Sequence, residues 1–169
     1  MEQPKNNLKI IADKKNARMI LPNMLTLIGV CIGLTSIRFA LDGKFEFAII
    51  AIILAALIDG LDGRIARLIK GTSKVGKELD SLTDMISFGV APAFIMYFWK
   101  LNTLGRFGWL VCLIYVICVA LRLARFNINS NQEPSWRDNF FEGVPSPAGG
   151  ILVLTPLIIS LTNFDYISI

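Results

Sequence analysis

Four aspartates within 26 residues, DGLDGRIARLIKGTSKVGKELDSLTD, limit what this chain can fold into more than any other feature. They form two pairs, Asp59/Asp62 and Asp80/Asp84, spaced three and four residues apart. On an α-helix each pair shares one face. The run 45–58 before the stretch and the run 85–99 after it are apolar enough to be membrane-buried. An ionised aspartate at mid-membrane depth costs roughly 2.5–3.5 kcal/mol on insertion scales, and less near the interface. Four carboxylates at the ends of such runs need a compensating partner.

The chain has 169 residues, of which 54% are hydrophobic and 18% charged. Soluble domains carry roughly 25% charged residues, so the composition is that of a bilayer protein, and the apolar residues come in blocks long enough to span. The expected architecture is all-α, a polytopic transmembrane helical bundle with five spans. Residues 1–20, polar and basic with a weak apolar stripe, read as a short interfacial N-terminal segment. Residues 21–169 read as one transmembrane catalytic domain without tandem repeats. The first span covers 21–41, with Thr26, Gly29 and Gly33 as a small-residue packing seam. A turn at Asp42-Gly43-Lys44 leads to a second helix from Phe45 to about Ile69, and Lys70–Ser73 reads as a further turn. The third helix starts near Val75 and runs to Trp99, with a kink expected at Pro92. The fourth span covers 107–121 and leads into Arg122–Asn127. A polar loop holding Trp136 and Glu142 follows, then a fifth apolar run from Ala148 to Leu161.

Lysine and arginine cluster in the N-terminal segment (five), in 64–77 (five) and in 122–137 (three), against one and two in the other loops. By the positive-inside bias the N-terminus and the aspartate stretch face the cytoplasm. The basic residues sit between apolar blocks, as suits anionic headgroups. No basic segment is interleaved with aromatics, so a nucleic-acid polymer is not an expected partner. No small-residue cleavage site follows the first apolar run, which argues against a secretory signal peptide. Cys31, Cys112 and Cys118 lie inside apolar runs without CxxC spacing, which suggests neither a zinc site nor a disulfide framework. Histidine is absent, so a general base has to be a carboxylate, lysine or tyrosine.

Helix arithmetic brings the aspartate pairs together. The runs 45–58 and 85–99 hold 14 and 15 residues, about 21 Å each at 1.5 Å per residue. Antiparallel neighbours starting from one outer surface place Asp59 and Asp84 at matching depth near the inner interface, with Asp62 and Asp80 about one turn nearer the cytoplasm. Hard oxygen donors without histidine or cysteine suit Mg²⁺ or Mn²⁺, and two such ions match four negative charges. Gly63, Ala66 and Gly76 leave room for a bulky ligand against the helix backbones, and Arg67 offers a fork for phosphate. DGLDG lacks the alternating ligand spacing of an EF-hand loop. Salt bridges to Arg64, Arg67 or Lys77 are the plain structural alternative for any one pair. A cation transporter would spread its carboxylates through the depth of several spans, whereas these bunch at one face.

The pattern D-x2-D-G-x2-A-R-x8-G-x3-D-x3-D, at Asp59, Asp62, Gly63, Ala66, Arg67, Gly76, Asp80 and Asp84, resembles the signature of the CDP-alcohol phosphotransferases. LPNMLTL (21–27), SFGVAPA (87–93), RLARFN (122–127) and GVPSPAG (143–149) are similar to stretches of the family's membrane-embedded phosphatidylserine synthase branch. The resemblance implies a six-helix membrane core, so a sixth helix is expected beyond Ile169. It also implies a homodimer in a prokaryotic cytoplasmic membrane with a metal site on the cytoplasmic face. Asp59, Asp62 and Asp80 are implied metal ligands, with Asp84 beside the metals and acting as base. The implied reaction moves the phosphatidyl group of CDP-diacylglycerol to L-serine and releases CMP, with Gly63, Ala66, Arg67, Gly76 and Lys77 around the nucleotide and phosphates. Arg122 and Arg125 are candidates for the serine carboxylate or are anchors beside lipid headgroups, and Ser146 and Glu142 are lesser candidates. Glycerol 3-phosphate or an inositol phosphate as acceptor would want a more basic pocket.

Overall fold

The computed structural model describes residues 4–68, 74–129 and 143–167, with side chains described for 23–65, 68, 75–128 and 143–162. The turn expected at 70–73, Trp136, Glu142 and the side chains of Ala66 and Arg67 lie outside the described residues. The described chain is helical: α1 (Pro4–Leu41), α2 (Phe45–Leu68), α3 (Lys74–Asp84), a π-helical turn (Met85–Val90), α4 (Ala91–Trp99), a 3₁₀ turn (Leu101–Leu104), α5 (Arg106–Asn129) and α6 (Ser146–Ile167). The all-α reading therefore holds. Three stretches, Asn23–Leu41, Val75–Trp99 and Arg106–Ile128, are long and apolar enough to cross a membrane by length and composition. Ser146–Thr162 is a shorter apolar helix. The 24-residue α2 is apolar from Phe47 to Ile58, after Glu46 in its first turn and before its aspartates.

Several boundaries differ from the sequence reading. The backbone of α1 is continuous through residue 20, so the interfacial segment and the first span share one helix. Helix α5 continues to Asn129, eight residues past 121, so Arg122, Arg125 and Asn127 stand on helix. Helix α6 starts at Ser146, earlier than 148. The reversal after α1 follows the expected turn chemistry. Gly43 takes φ 74°, its N–H reaches the Ala40 carbonyl at 3.1 Å, and the Lys44 N–H reaches Phe39 at 2.9 Å. These two bonds close the end of α1, and the left-handed φ explains the glycine.

The deformation expected at Pro92 appears as a full π-helical turn on its N-terminal side. The Ala91 N–H bonds to the Ile86 carbonyl, five residues back. Proline supplies no N–H to the turn above it, and that missing donor is replaced from another helix: the Tyr115 hydroxyl of α5 donates to the Phe88 carbonyl at 2.7 Å. Helix α6 approaches the same backbone closely. A Cβ on Gly150 would lie 3.2 Å from the Phe88 oxygen.

One face of α2, Ala48, Ile52 and Ala55 at helical spacing, is sealed against Ala40 of α1, Ala91 and Ile95 of α4, Leu154 and Leu157 of α6, and Phe88. Helix α5 packs mainly on α4 and the π turn, leaving Val111, Ile114, Ile117 and Leu121 exposed, as suits a lipid-facing surface. The seam on α1 makes the contacts its small residues allow. A Cβ on Gly33 would sit 3.0 Å from the Ser87 Cα, and Ser87 reaches back to the Gly29 carbonyl at 3.5 Å.

Candidate active site

The site lies where the C-terminal part of α2 meets α3. Asp59 and Asp62, one turn apart on α2, and Asp80 on α3 each present a carboxylate oxygen within 4.8 Å of the others. Asp62 is buried, Asp59 half-buried and Asp80 exposed. A trio of hard, anionic oxygens at this spacing fits a divalent cation such as Mg²⁺ or Mn²⁺. Asp84, one turn after Asp80, stands outside the trio and lies against Asp59. Its Oδ1 is buried without a hydrogen-bond partner among the described residues. Desolvation and mutual repulsion both act against four charged carboxylates held this close, so the cluster is stable only with compensating groups.

Two such groups come from other helices. The Thr26 hydroxyl of α1 donates to Asp62 Oδ2 at 2.7 Å, with both residues buried. Thr26 reads in the sequence only as part of a packing seam, and the one signal of more is a polar residue inside an apolar span. On the far side, Arg122 of α5 donates through Nη1 to the Ser146 hydroxyl at 2.7 Å. Ser146 and Arg122 both act on Asp84. Arg122 Nε is buried and unpartnered among the described residues. Arg125, three residues on, is exposed. The structure thus brings Arg122 and Ser146 to the aspartates and turns Arg125 outward. A further tie that the sequence did not suggest joins Asn127 of α5 to Ser81 of α3 at 3.0 Å, fixing the helix that carries Asp80 and Asp84.

Of the residues expected around a phosphate, Gly63 is half-buried, and a Cβ there would meet nothing within 4 Å. Gly76 is half-buried and Lys77 is exposed one turn before Ser81. Carboxylates able to hold metal, a glycine backed by open space and a half-buried arginine beside a further carboxylate together suit phosphoryl chemistry on an anionic substrate.

Known proteins are similar to this chain over most of its length. The chain is 46% identical over 144 residues to the CDP-diacylglycerol--serine O-phosphatidyltransferase of Mycobacterium leprae (strain TN), covering 84% of this chain and 48% of that protein. To the protein of the same name from Helicobacter pylori (strain ATCC 700392 / 26695) it is 42% identical over 139 residues, 82% of this chain and 57% of the relative. The Bacillus subtilis (strain 168) protein of that name is 36% identical over 134 residues, 79% of this chain and 73% of the relative. The chain spans about half the length of the mycobacterial relatives it matches. The model of the CDP-alcohol phosphatidyltransferase family matches residues 19–168, which include every aspartate of the site. With the family model matching nearly the whole chain, the chain belongs to the CDP-alcohol phosphatidyltransferase family.

Proposed function

We propose that this chain carries the catalytic machinery that transfers the phosphatidyl group of CDP-diacylglycerol to L-serine, giving phosphatidylserine and CMP. The observation that carries the reading is the meeting of the three-aspartate cluster with a second constellation, Asp84 facing Arg122 and Ser146. The names of the relatives support the donor and the acceptor. Asp59, Asp62 and Asp80 would hold the cation, Mg²⁺ or Mn²⁺ and two ions by charge balance, with Asp84 beside them. When bound, the metal supplies charge neutralisation at the pyrophosphate. Gly63, Ala66, Gly76, Arg67 and Lys77 would receive the nucleotide and phosphates. Asp84 takes the proton of the serine hydroxyl as that oxygen attacks the lipid-side phosphorus, and CMP leaves with the bonding pair. Arg122, whose Nε is unpartnered among the described residues, receives the serine carboxylate, and Arg125 serves as an interfacial cation. Holding the two reactants in line supplies most of the rate.

The protein is read as a homodimer in a prokaryotic cytoplasmic membrane, with residues 1–20 and the site at the cytoplasmic face. The test is CMP release from CDP-diacylglycerol across serine, glycerol 3-phosphate and an inositol phosphate, each with Mg²⁺, Mn²⁺ or EDTA. Serine-dependent, EDTA-sensitive release is expected. Release driven by glycerol 3-phosphate or inositol phosphate but not serine would overturn the acceptor.

A further inference from the structure

Ser146 does more in this fold than line a pocket. It is the first residue of α6, 7% exposed, and is set by the flanking Pro145 and Pro147 and by the Gly149 N–H bonding back to the Pro145 carbonyl at 2.9 Å. A hydroxyl has one proton and two lone pairs. One lone pair accepts from Arg122 Nη1 at 2.7 Å, so the proton is free to turn to the Asp84 carboxylate that Ser146 faces. Gly143, at φ 92°, carries the chain over the guanidinium: a Cβ there would lie 3.9 Å from Arg122 Nε. The serine therefore stands between a half-buried cation and a half-buried anion of opposite charge, which attract each other across it.

We propose that Ser146 is a positioning residue that keeps Arg122 and Asp84 apart, so that Arg122 Nε stays available to the acceptor and Asp84 Oδ1 to the reacting hydroxyl. Without the bridging hydroxyl the guanidinium closes on the carboxylate as a direct ion pair. Both unpartnered atoms, Arg122 Nε and Asp84 Oδ1, are then consumed by each other. With its proton turned to Asp84 and one lone pair taken by Arg122, Ser146 acts on the acceptor through those two side chains. The proposal rests on the reading of Asp84 as base and Arg122 as acceptor-binding cation.

The experiment compares Ser146→Ala, Ser146→Cys and Ser146→Thr in the full chain, reading kcat and KM for serine and for CDP-diacylglycerol, with CDP-diacylglycerol binding as the check on folding. Removing a hydrogen bond to charged partners predicts a kcat lower by roughly 10- to 100-fold in the alanine variant, with a raised KM for serine and unchanged binding of CDP-diacylglycerol. Cysteine, of similar size but a weak donor, is expected to behave as alanine, and threonine to restore kcat to within about threefold of the native rate. A raised KM for serine at native kcat in the alanine and cysteine variants overturns the proposal, because the hydroxyl would then bind acceptor only. Threonine no better than cysteine, with all variants binding CDP-diacylglycerol, overturns it as well. If alanine does not fold, the cysteine–threonine pair decides. Failure of the native chain with serine but turnover with another acceptor faults the proposed substrate instead, and the same variants are then read with that acceptor.

Discussion

Replacing Thr26 by valine tests whether the small-residue seam of α1 serves the site or only packing. Valine keeps the shape and removes the hydroxyl that donates to Asp62 Oδ2 at 2.7 Å. Thr26 and Asp62 are 5% and 3% exposed, so water cannot readily replace the lost donor. A hydrogen bond to a charged group contributes about 1.5–3 kcal/mol, equivalent to about 10- to 150-fold in an equilibrium constant. The effect should fall on the orientation of Asp62 as a ligand, where outer partners typically affect metal affinity by about 10- to 100-fold. The assay titrates Mg²⁺ or Mn²⁺ against CMP release in Thr26→Val, Thr26→Ser and the native chain. The half-saturating metal concentration should rise by about 10- to 100-fold in the valine variant and return close to native in the serine variant. An unchanged metal requirement in Thr26→Val would refute the argument that α1 orients the ligand, and would leave Thr26 a packing residue.

Three further substitutions probe the rest of the site and its support. Asp84→Asn should abolish phosphatidyl transfer while CDP-diacylglycerol still binds; normal turnover would remove Asp84 as base. Tyr115→Phe leaves the Phe88 carbonyl beside Pro92 without its cross-helix donor, and thermal unfolding should register a loss of about 1–3 kcal/mol; an unchanged melting temperature would mean that the π turn satisfies itself. Gly63→Ala meets no protein atom within 4 Å, so stability should stay within about 0.5 kcal/mol of native while KM for CDP-diacylglycerol rises. An unchanged KM would show that the open space beside Gly63 does not receive the nucleotide.

What the sequence disclosed depended on whether a feature was periodic or relational. The aspartate pairs were legible because three- and four-residue spacings fix a helix face, and equal apolar run lengths fix depth. From those alone the meeting of Asp59 and Asp62 with Asp80 follows. Thr26 was not legible as a partner of Asp62, because the contact spans 36 positions and depends on which face of α1 packs on α2. Pro92 announced a distortion but not its form, since the π turn is supported by Tyr115, 27 residues after Phe88. Arg122 and Arg125 were indistinguishable in the sequence. Three residues apart they share one helix face, and only the packing of α5 leaves Arg122 half-buried near Asp84 and Arg125 exposed.

The aspartates are held unequally, and that inequality gives the site a direction. Asp62 is closed off by Thr26 on α1, and Asp84 is flanked by Ser146 and Arg122 from α6 and α5. Asp80 alone among the four is exposed, with Lys77 exposed one turn earlier on α3 and open space beside Gly63 on α2. On the proposed reading, the donor's phosphates meet the cluster on this open side, with Asp62 already held by Thr26 and Asp84 by Ser146. On the same reading the smaller, zwitterionic reactant is seated at Arg122, where Arg122 Nε and Asp84 Oδ1 have no partner among the described residues. On the proposed reading, a donor held at Asp80 and an acceptor held at Arg122 are brought to the same carboxylates by different helices, α3 for one and α5 for the other, and holding both reactants in place is what an in-line displacement at phosphorus needs.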